Sequence, residues 1–123
     1  GWSITPECMY YSAKFMHRRY GLPIMITENG MANIDFVYED GKVHDPQRSE
    51  YLRTHIKNLK RANDEGVSVI GYSCWSFMDN FEWSEGYSKR FGIVYVDYRT
   101  QKRIVKDSAY TFRDIIKANG ENL

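Results

Sequence analysis

Residues Pro23 to Gly30 read PIMITENG, and residues Val67 to Phe77 read VSVIGYSCWSF. Both runs are apolar, short and closely bounded, the first by Gly21 on one side and Asn29-Gly30 on the other. Such a length does not suit a helix. Without polar alternation, the runs predict strands over Leu22–Thr27 and Val67–Phe77, each covered on both faces. Glu28 then stands at the C-terminal end of the first strand, a charge closing an apolar run.

The segments around these strands carry helix signals. Thr5-Pro6-Glu7 offers a capping hydroxyl, a proline for the first helical position and an acid for the first turn. Gly21 follows Arg18 and Arg19, so residues 6–20 are expected to be helical. Asp45-Pro46 opens a second helix that ends at Gly66, with Tyr51, Leu52, His55, Ile56, Leu59 and Ala62 on one face. Residues 31–44 show no steady period and predict a long loop with a hairpin turn at Glu39-Asp40-Gly41. Residues 91–98 and 103–105 are expected to be extended and to pair around Tyr98–Gln101. A last helix is expected from Asp107 or Ser108 to Lys117, ended by Asn119-Gly120, with Ala109, Phe112, Ile115 and Ile116 inward.

Strands alternating with helices predict a parallel sheet and hence an α/β fold. Two parallel strands cannot bury both of their faces unaided, because such strands need neighbours in the sheet as well as helices upon it. The 123 residues are therefore expected to be part of a larger sheet or barrel. The absence of an initial Met suits processed material or a piece of a longer chain.

Seventeen Lys+Arg against sixteen Asp+Glu leave a net charge of +1, which gives no reason to expect a nucleic acid or an anionic membrane as partner. No apolar run approaches the roughly 20 residues of a membrane-spanning helix. The opening GWSITPE lacks the regions of an export signal, so the expected compartment is the cytoplasm. Cys8 and Cys74 stand far apart, with no clustered histidines, and are expected to be buried free thiols without a disulfide or a metal.

Functional groups of α/β barrels sit at the C-terminal ends of strands. The second strand runs into WSFMDNFEWSEGYSKRFG, where Trp75, Phe77, Phe81, Trp83, Tyr87 and Phe91 are interleaved with Asp79, Glu82, Glu85, Lys89 and Arg90. Pyranose rings offer apolar faces to aromatic side chains, and their hydroxyls need directed hydrogen bonds, so this mixture suits a sugar site. Composition alone leaves ordinary core packing as the other reading.

The string ITENG, then VHDPQRSEYLRTHI, then GYSCWSFMDNFEWSEGYSKRFGIVYVDYRTQKRIVKDSA, resembles the C-terminal part of the family 1 glycoside hydrolases, the β-glucosidase family. TENG alone is a weak sign; TENG with DNFEW and EGYSKRFG at this spacing is specific. The likeness extends from Gly1-Trp2 to the last helix. It implies that residues 1–123 are the C-terminal segment of a single (β/α)8 barrel domain, about its last two βα units, with no separate second domain. It also implies retaining hydrolysis of β-glycosides by two carboxyl groups about 5 Å apart.

On that resemblance Glu28 matches the nucleophile. Glu82 and Trp83 match the residues that hydrogen-bond the glycone hydroxyls, Trp75 the floor of the glycone pocket, and Phe91 an aromatic wall. Asp79, Asn80, Arg90 and Asp97 are expected to hold the loop by hydrogen bonds and ion pairs. Arg48 and His55 are expected to be solvated or packing residues. Relatives acting on 6-phosphorylated glycosides carry serine where this chain has Glu82, and tyrosine where it has Phe91; Lys89 is the one matching residue. A carboxylate facing the 6-position would repel a phosphate dianion. The expected substrate is a β-glucoside or cello-oligosaccharide, with galactosides or fucosides secondary, and no cofactor.

The acid/base glutamate of this family lies in an Asn-Glu-Pro motif, and no such tripeptide occurs in the 123 residues. The N-terminal remainder of the barrel, in the same protein or a separate chain, is thus the expected partner, and the isolated chain is expected to be inactive. The alternatives are a non-catalytic carbohydrate-binding or regulatory module derived from the same barrel, and a variant whose acid/base position is not glutamate.

Overall fold

Helix α1 spans Glu7–Tyr20, strand β1 Ile24–Asn29, helix α2 Pro46–Asp64 and strand β2 Val69–Cys74 in a computed structural model that describes residues 3–123. Strands β3 (Val94–Val96) and β4 (Arg103–Val105) and helix α3 (Asp107–Lys117) follow. Gly1 and Trp2, where the family resemblance begins, lie outside the described residues.

β1 and β2 pair in parallel, as α2 between them requires of a βαβ crossover. β3 and β4 form the expected antiparallel pair, closed by a turn in which the Gln101 N–H donates to the Asp97 carbonyl and Gln101 takes φ +64°. The loop over residues 31–44 turns back at Tyr38–Lys42, near the expected hairpin.

The core lies on one face of the β1–β2 sheet. Met9, Tyr10 and Ala13 of α1 meet Leu59 and Ala62 of α2 and Val67, and Ile24, Ile26, Val69 and Tyr72 pack against them. α1 starts with the Cys8 N–H bound to the Thr5 carbonyl and stops at Gly21, whose φ of +67° lets its N–H reach the His17 carbonyl.

Several expectations are corrected here. The strands are covered on one face only: Met25 is 53% exposed and Ile70 67%, because no second layer of described residues lies on that side. Their bounds also shift, with β1 including Glu28 and β2 stopping at Cys74. Ile116 points outward, 61% exposed, since Ser108 and Ile115 define the buried face of α3. Cys8 sits on the outer face of α1 and is exposed, whereas the partly buried Cys74 has its thiol pushed up to about 11 by desolvation.

Arg48 is neither solvated nor a simple packing residue. Its guanidinium is buried and bound to Asp45, to Asp35 at 2.8 Å and to the Arg90 carbonyl at 2.9 Å. Asp45 does not cap its own helix with its side chain. Its carboxylate instead takes the Ser108 N–H at 2.8 Å and the Ser108 hydroxyl at 2.6 Å, capping α3 across the fold. His55 packs as expected, stacked on Tyr51 with ring centroids 3.7 Å apart.

Candidate active site

A strand that alternated strictly from Ile24 and Ile26 would turn Glu28 toward the helices. The pairing register prevents this. Ile26 stands opposite Tyr72 and Asn29 opposite Cys74, so β1 uses three residues where β2 uses two. The extra residue is a β-bulge that leaves Thr27 and Glu28 both exposed and returns Asn29 to the helix side. Glu28 therefore emerges on the open face of the sheet, one residue before the strand ends.

The neighbouring strand end brings in Trp75. Its N–H donates to the Asn29 carbonyl at 2.8 Å, extending the β1–β2 ladder one step past Cys74. Gly30 lies flat against the Trp75 carbonyl, where any Cβ would collide with backbone atoms. The Trp75 side chain is half-buried, and the Trp75–Ser76 peptide bond is cis.

From Trp75 a run of hydrogen bonds leads to Glu82. The Ser76 hydroxyl donates to Asn80 Oδ1 at 2.8 Å, and Asn80 Nδ2 donates to Glu82 Oε2 at 3.1 Å. The Phe91 carbonyl accepts the Ser76 N–H at 3.1 Å, which sets the half-buried Phe91 beside the same turn. Trp75, Glu82 and Phe91 are thus joined through Ser76 and Asn80, and Trp75 is bonded to Asn29, the residue after Glu28.

Trp83 stands apart from this set. Trp83 is 82% exposed, and its backbone takes φ +43° in a single 3-10 turn at Trp83–Glu85, a conformation that costs a bulky residue on the order of 1 kcal/mol. The turn is closed by Glu82 N–H to the Gly86 carbonyl at 2.7 Å.

The loop is anchored from beneath by charges. Asp79 accepts from Lys106 at 2.7 Å, from Arg90 at 2.5 Å and from the N–H groups of Gly92 and Val96. Asn80 and Arg90 also bear out their expected structural roles, and Asp97 holds the 97–101 turn through Thr100 at 2.7 Å. The Lys106 contribution had no signal in the sequence beyond its place in IVKDSA.

A carboxylate at the C-terminal end of a parallel strand, with a tryptophan at the next strand end, stands where α/β barrels carry their functional groups. Comparison with known proteins makes that specific. The model of glycosyl hydrolase family 1 matches residues 1–121. β-Glucosidase A of Thermotoga maritima is 56% identical over 121 residues, which are 98% of this chain and 27% of the relative. A bifunctional β-D-glucosidase/β-D-fucosidase of Bifidobacterium breve is 49% identical over 121 residues, 94% of this chain and 26% of the relative.

The solved family 1 β-glucosidase of Thermotoga maritima superimposes with a TM-score of 0.95 at 55% identity, covering 98% of this chain and 27% of that one. That protein has also been solved with isofagomine lactam and with glucoimidazole. The chain belongs to glycosyl hydrolase family 1 and is part of a (β/α)8 barrel. It spans about a quarter of the length of the relatives it matches.

Proposed function

We propose that this chain is the C-terminal segment, about the last two βα units, of a retaining β-glucosidase, and that it supplies the nucleophile and part of the glycone site. The observation that carries the reading is the bulge in β1, which turns Glu28 away from the core and onto the open face beside Trp75. Membership of the family and the β-glucosidase names of the relatives support it. The glucoimidazole complex of the Thermotoga maritima protein supports a glucose-shaped ligand.

In the proposed reaction the ionised Glu28 carboxylate attacks the anomeric carbon of a terminal β-D-glucosyl residue as the bond to the leaving oxygen breaks. An acid/base carboxyl from the remainder of the barrel gives that oxygen its proton. The same group then takes a proton from water, whose oxygen displaces Glu28 and releases glucose with its configuration retained. Glu82 accepts hydrogen bonds from glycone hydroxyls, the Trp83 indole donates one, Trp75 forms the floor and Phe91 a wall. Protonation of the leaving group contributes roughly 10²- to 10⁴-fold, so the chain without its complement is expected to be inactive.

The test is an aryl β-glucoside assay of the complete barrel beside its Glu28→Gln variant. Loss of at least about 10³-fold in kcat with a folded variant is expected. Activity that survives the substitution, or a folded parent barrel that binds glucose without turnover, overturns the reading.

A further inference from the structure

We infer that Asn29 is a positioning residue for Glu28, an inference that rests on Glu28 being the nucleophile. Asn29 is the first residue after the bulge to face the helices again, and its carboxamide is engaged at both ends. Nδ2 donates to the Tyr51 hydroxyl of α2 at 3.0 Å, and Oδ1 accepts from the Tyr72 hydroxyl of β2 at 2.9 Å. Its main-chain carbonyl takes the Trp75 N–H at 2.8 Å. One residue is therefore tied to the helix behind β1, to the neighbouring strand and to the floor of the proposed pocket.

The two tyrosines are themselves held. Tyr51 stacks on His55, the two rings inclined by 22°, and the His55 Nδ1–H donates to the Tyr51 carbonyl at 2.8 Å. Tyr72 lies edge-on to Phe112 of α3, with ring centroids 6.0 Å apart. Burial lowers the pKa of His55 and raises those of both phenols, so all three stay neutral near pH 7 and the clamp carries no charge.

A bulge bends a strand and raises its local twist, and it leaves the extra residue without a partner in the ladder. Glu28 sits at that point in β1: the register chooses its face, but Glu28 has no partner of its own in the ladder, so pairing alone does not fix its fine orientation. The clamp on the next residue does. Nucleophilic attack is steep in distance and angle: a misplacement of about 1 Å can cost on the order of 10²-fold in rate. Removal of the clamp should therefore slow bond formation at Glu28 while leaving glycone affinity, which resides in Trp75, Glu82 and Trp83, almost unchanged.

The experiment uses the complete barrel and 2-deoxy-2-fluoro-β-D-glucosyl fluoride, with covalent labelling followed by intact mass and the labelled peptide mapped. Asn29→Ala is expected to lower the first-order labelling rate by about 10- to 100-fold, with competitive inhibition by glucose unchanged within about twofold. Tyr72→Phe removes a single oxygen and should slow labelling by a smaller factor. Combined with Asn29→Ala it should add little, because both changes break one unit. Labelling of either folded variant at the parental rate overturns the inference, as does a rate loss matched by an equal loss of glucose affinity. Labelling of the parent at a residue other than Glu28 is a different failure: it removes the nucleophile assignment and the inference with it.

Discussion

The Lys106 ammonium lies 2.7 Å from Asp79 Oδ1, and neither side chain has any exposed surface. The same ammonium reaches Asp35 at 2.5 Å, while Arg48 holds Asp35 and Asp45, and Arg90 holds Asp79. Three carboxylates face three cations in this cluster. It joins the loop after β1, the start of α2, the loop bearing Glu82 and the start of α3.

Lys106→Met should destabilise the barrel by about 3–5 kcal/mol, because Asp35 and Asp79 would remain buried with part of their compensation removed. Thermal melts of a barrel about four times the length of this chain should show a fall of about 3–5 °C. Lys106→Met with Asp79→Asn should recover part of that loss, since a buried pair removed together costs less than one partner removed alone. A Lys106→Met melt within about 1 °C of the parent would show that the cluster relaxes around the gap.

Much of the fold was legible in residues 20–30 and 45–77 because apolar runs, Pro at helix starts and Gly at helix ends are local signals. Glu28 and Trp75 were legible as strand-end residues for the same reason. The bulge was not, because register belongs to a pair of strands and no residue of PIMITENG carries a bulge signal by itself. The burial of Lys106 was hidden too: lysine is among the residues most often exposed, and its partner Asp35 lies 71 positions away. Asp45 announced a helix start correctly, yet the helix its carboxylate caps is α3, a long-range contact no local pattern reports.

The exposed contacts between α1 and the end of α2 should make stability depend on acid pH. Lys14 at 2.7 Å, then the Tyr10 hydroxyl at 2.5 Å, hold the Glu65 carboxyl down at about 2 against an ordinary 4.5. A depressed carboxyl stabilises the fold above its unfolded value and loses that contribution as pH falls through its folded one. Glu65→Gln should therefore melt below the parent at pH 6, with the gap closing between pH 4.5 and about 2. A gap that stays constant over that range in melts against pH would rule the linkage out.

His44 should show the opposite dependence. Asp107 at 2.6 Å and Asp40 at 3.1 Å raise its pKa above 6.5 by favouring the imidazolium. A raised base stabilises the fold fully below its unfolded value and loses that contribution as pH rises through the folded one. His44→Asn should thus cost most below pH 6.5 and progressively less above it, because His44 ties the 38–44 turn to the start of α3 most strongly where the ring is charged. Melts of the variant and parent from pH 5 to pH 9 check this, and a gap that widens with pH contradicts it.

Gly30 provides the sharpest test of how the two strand ends are joined. A Cβ at this position runs into the Trp75 carbonyl, which is main chain and cannot swing aside as a side-chain tip could. Gly30→Ala must push β1 and the Trp75 segment apart, straining the bond between the Trp75 N–H and the Asn29 carbonyl. The cost of such overpacking is about 1–3 kcal/mol or more. Because the displaced atoms carry both Glu28 and Trp75, the barrel should lose glucoside affinity and turnover together, unlike Asn29→Ala, which is expected to spare affinity. Kinetics at saturating and limiting substrate separate the two variants. A Gly30→Ala barrel with parental kcat and KM would mean that the strand ends have room the structure does not show.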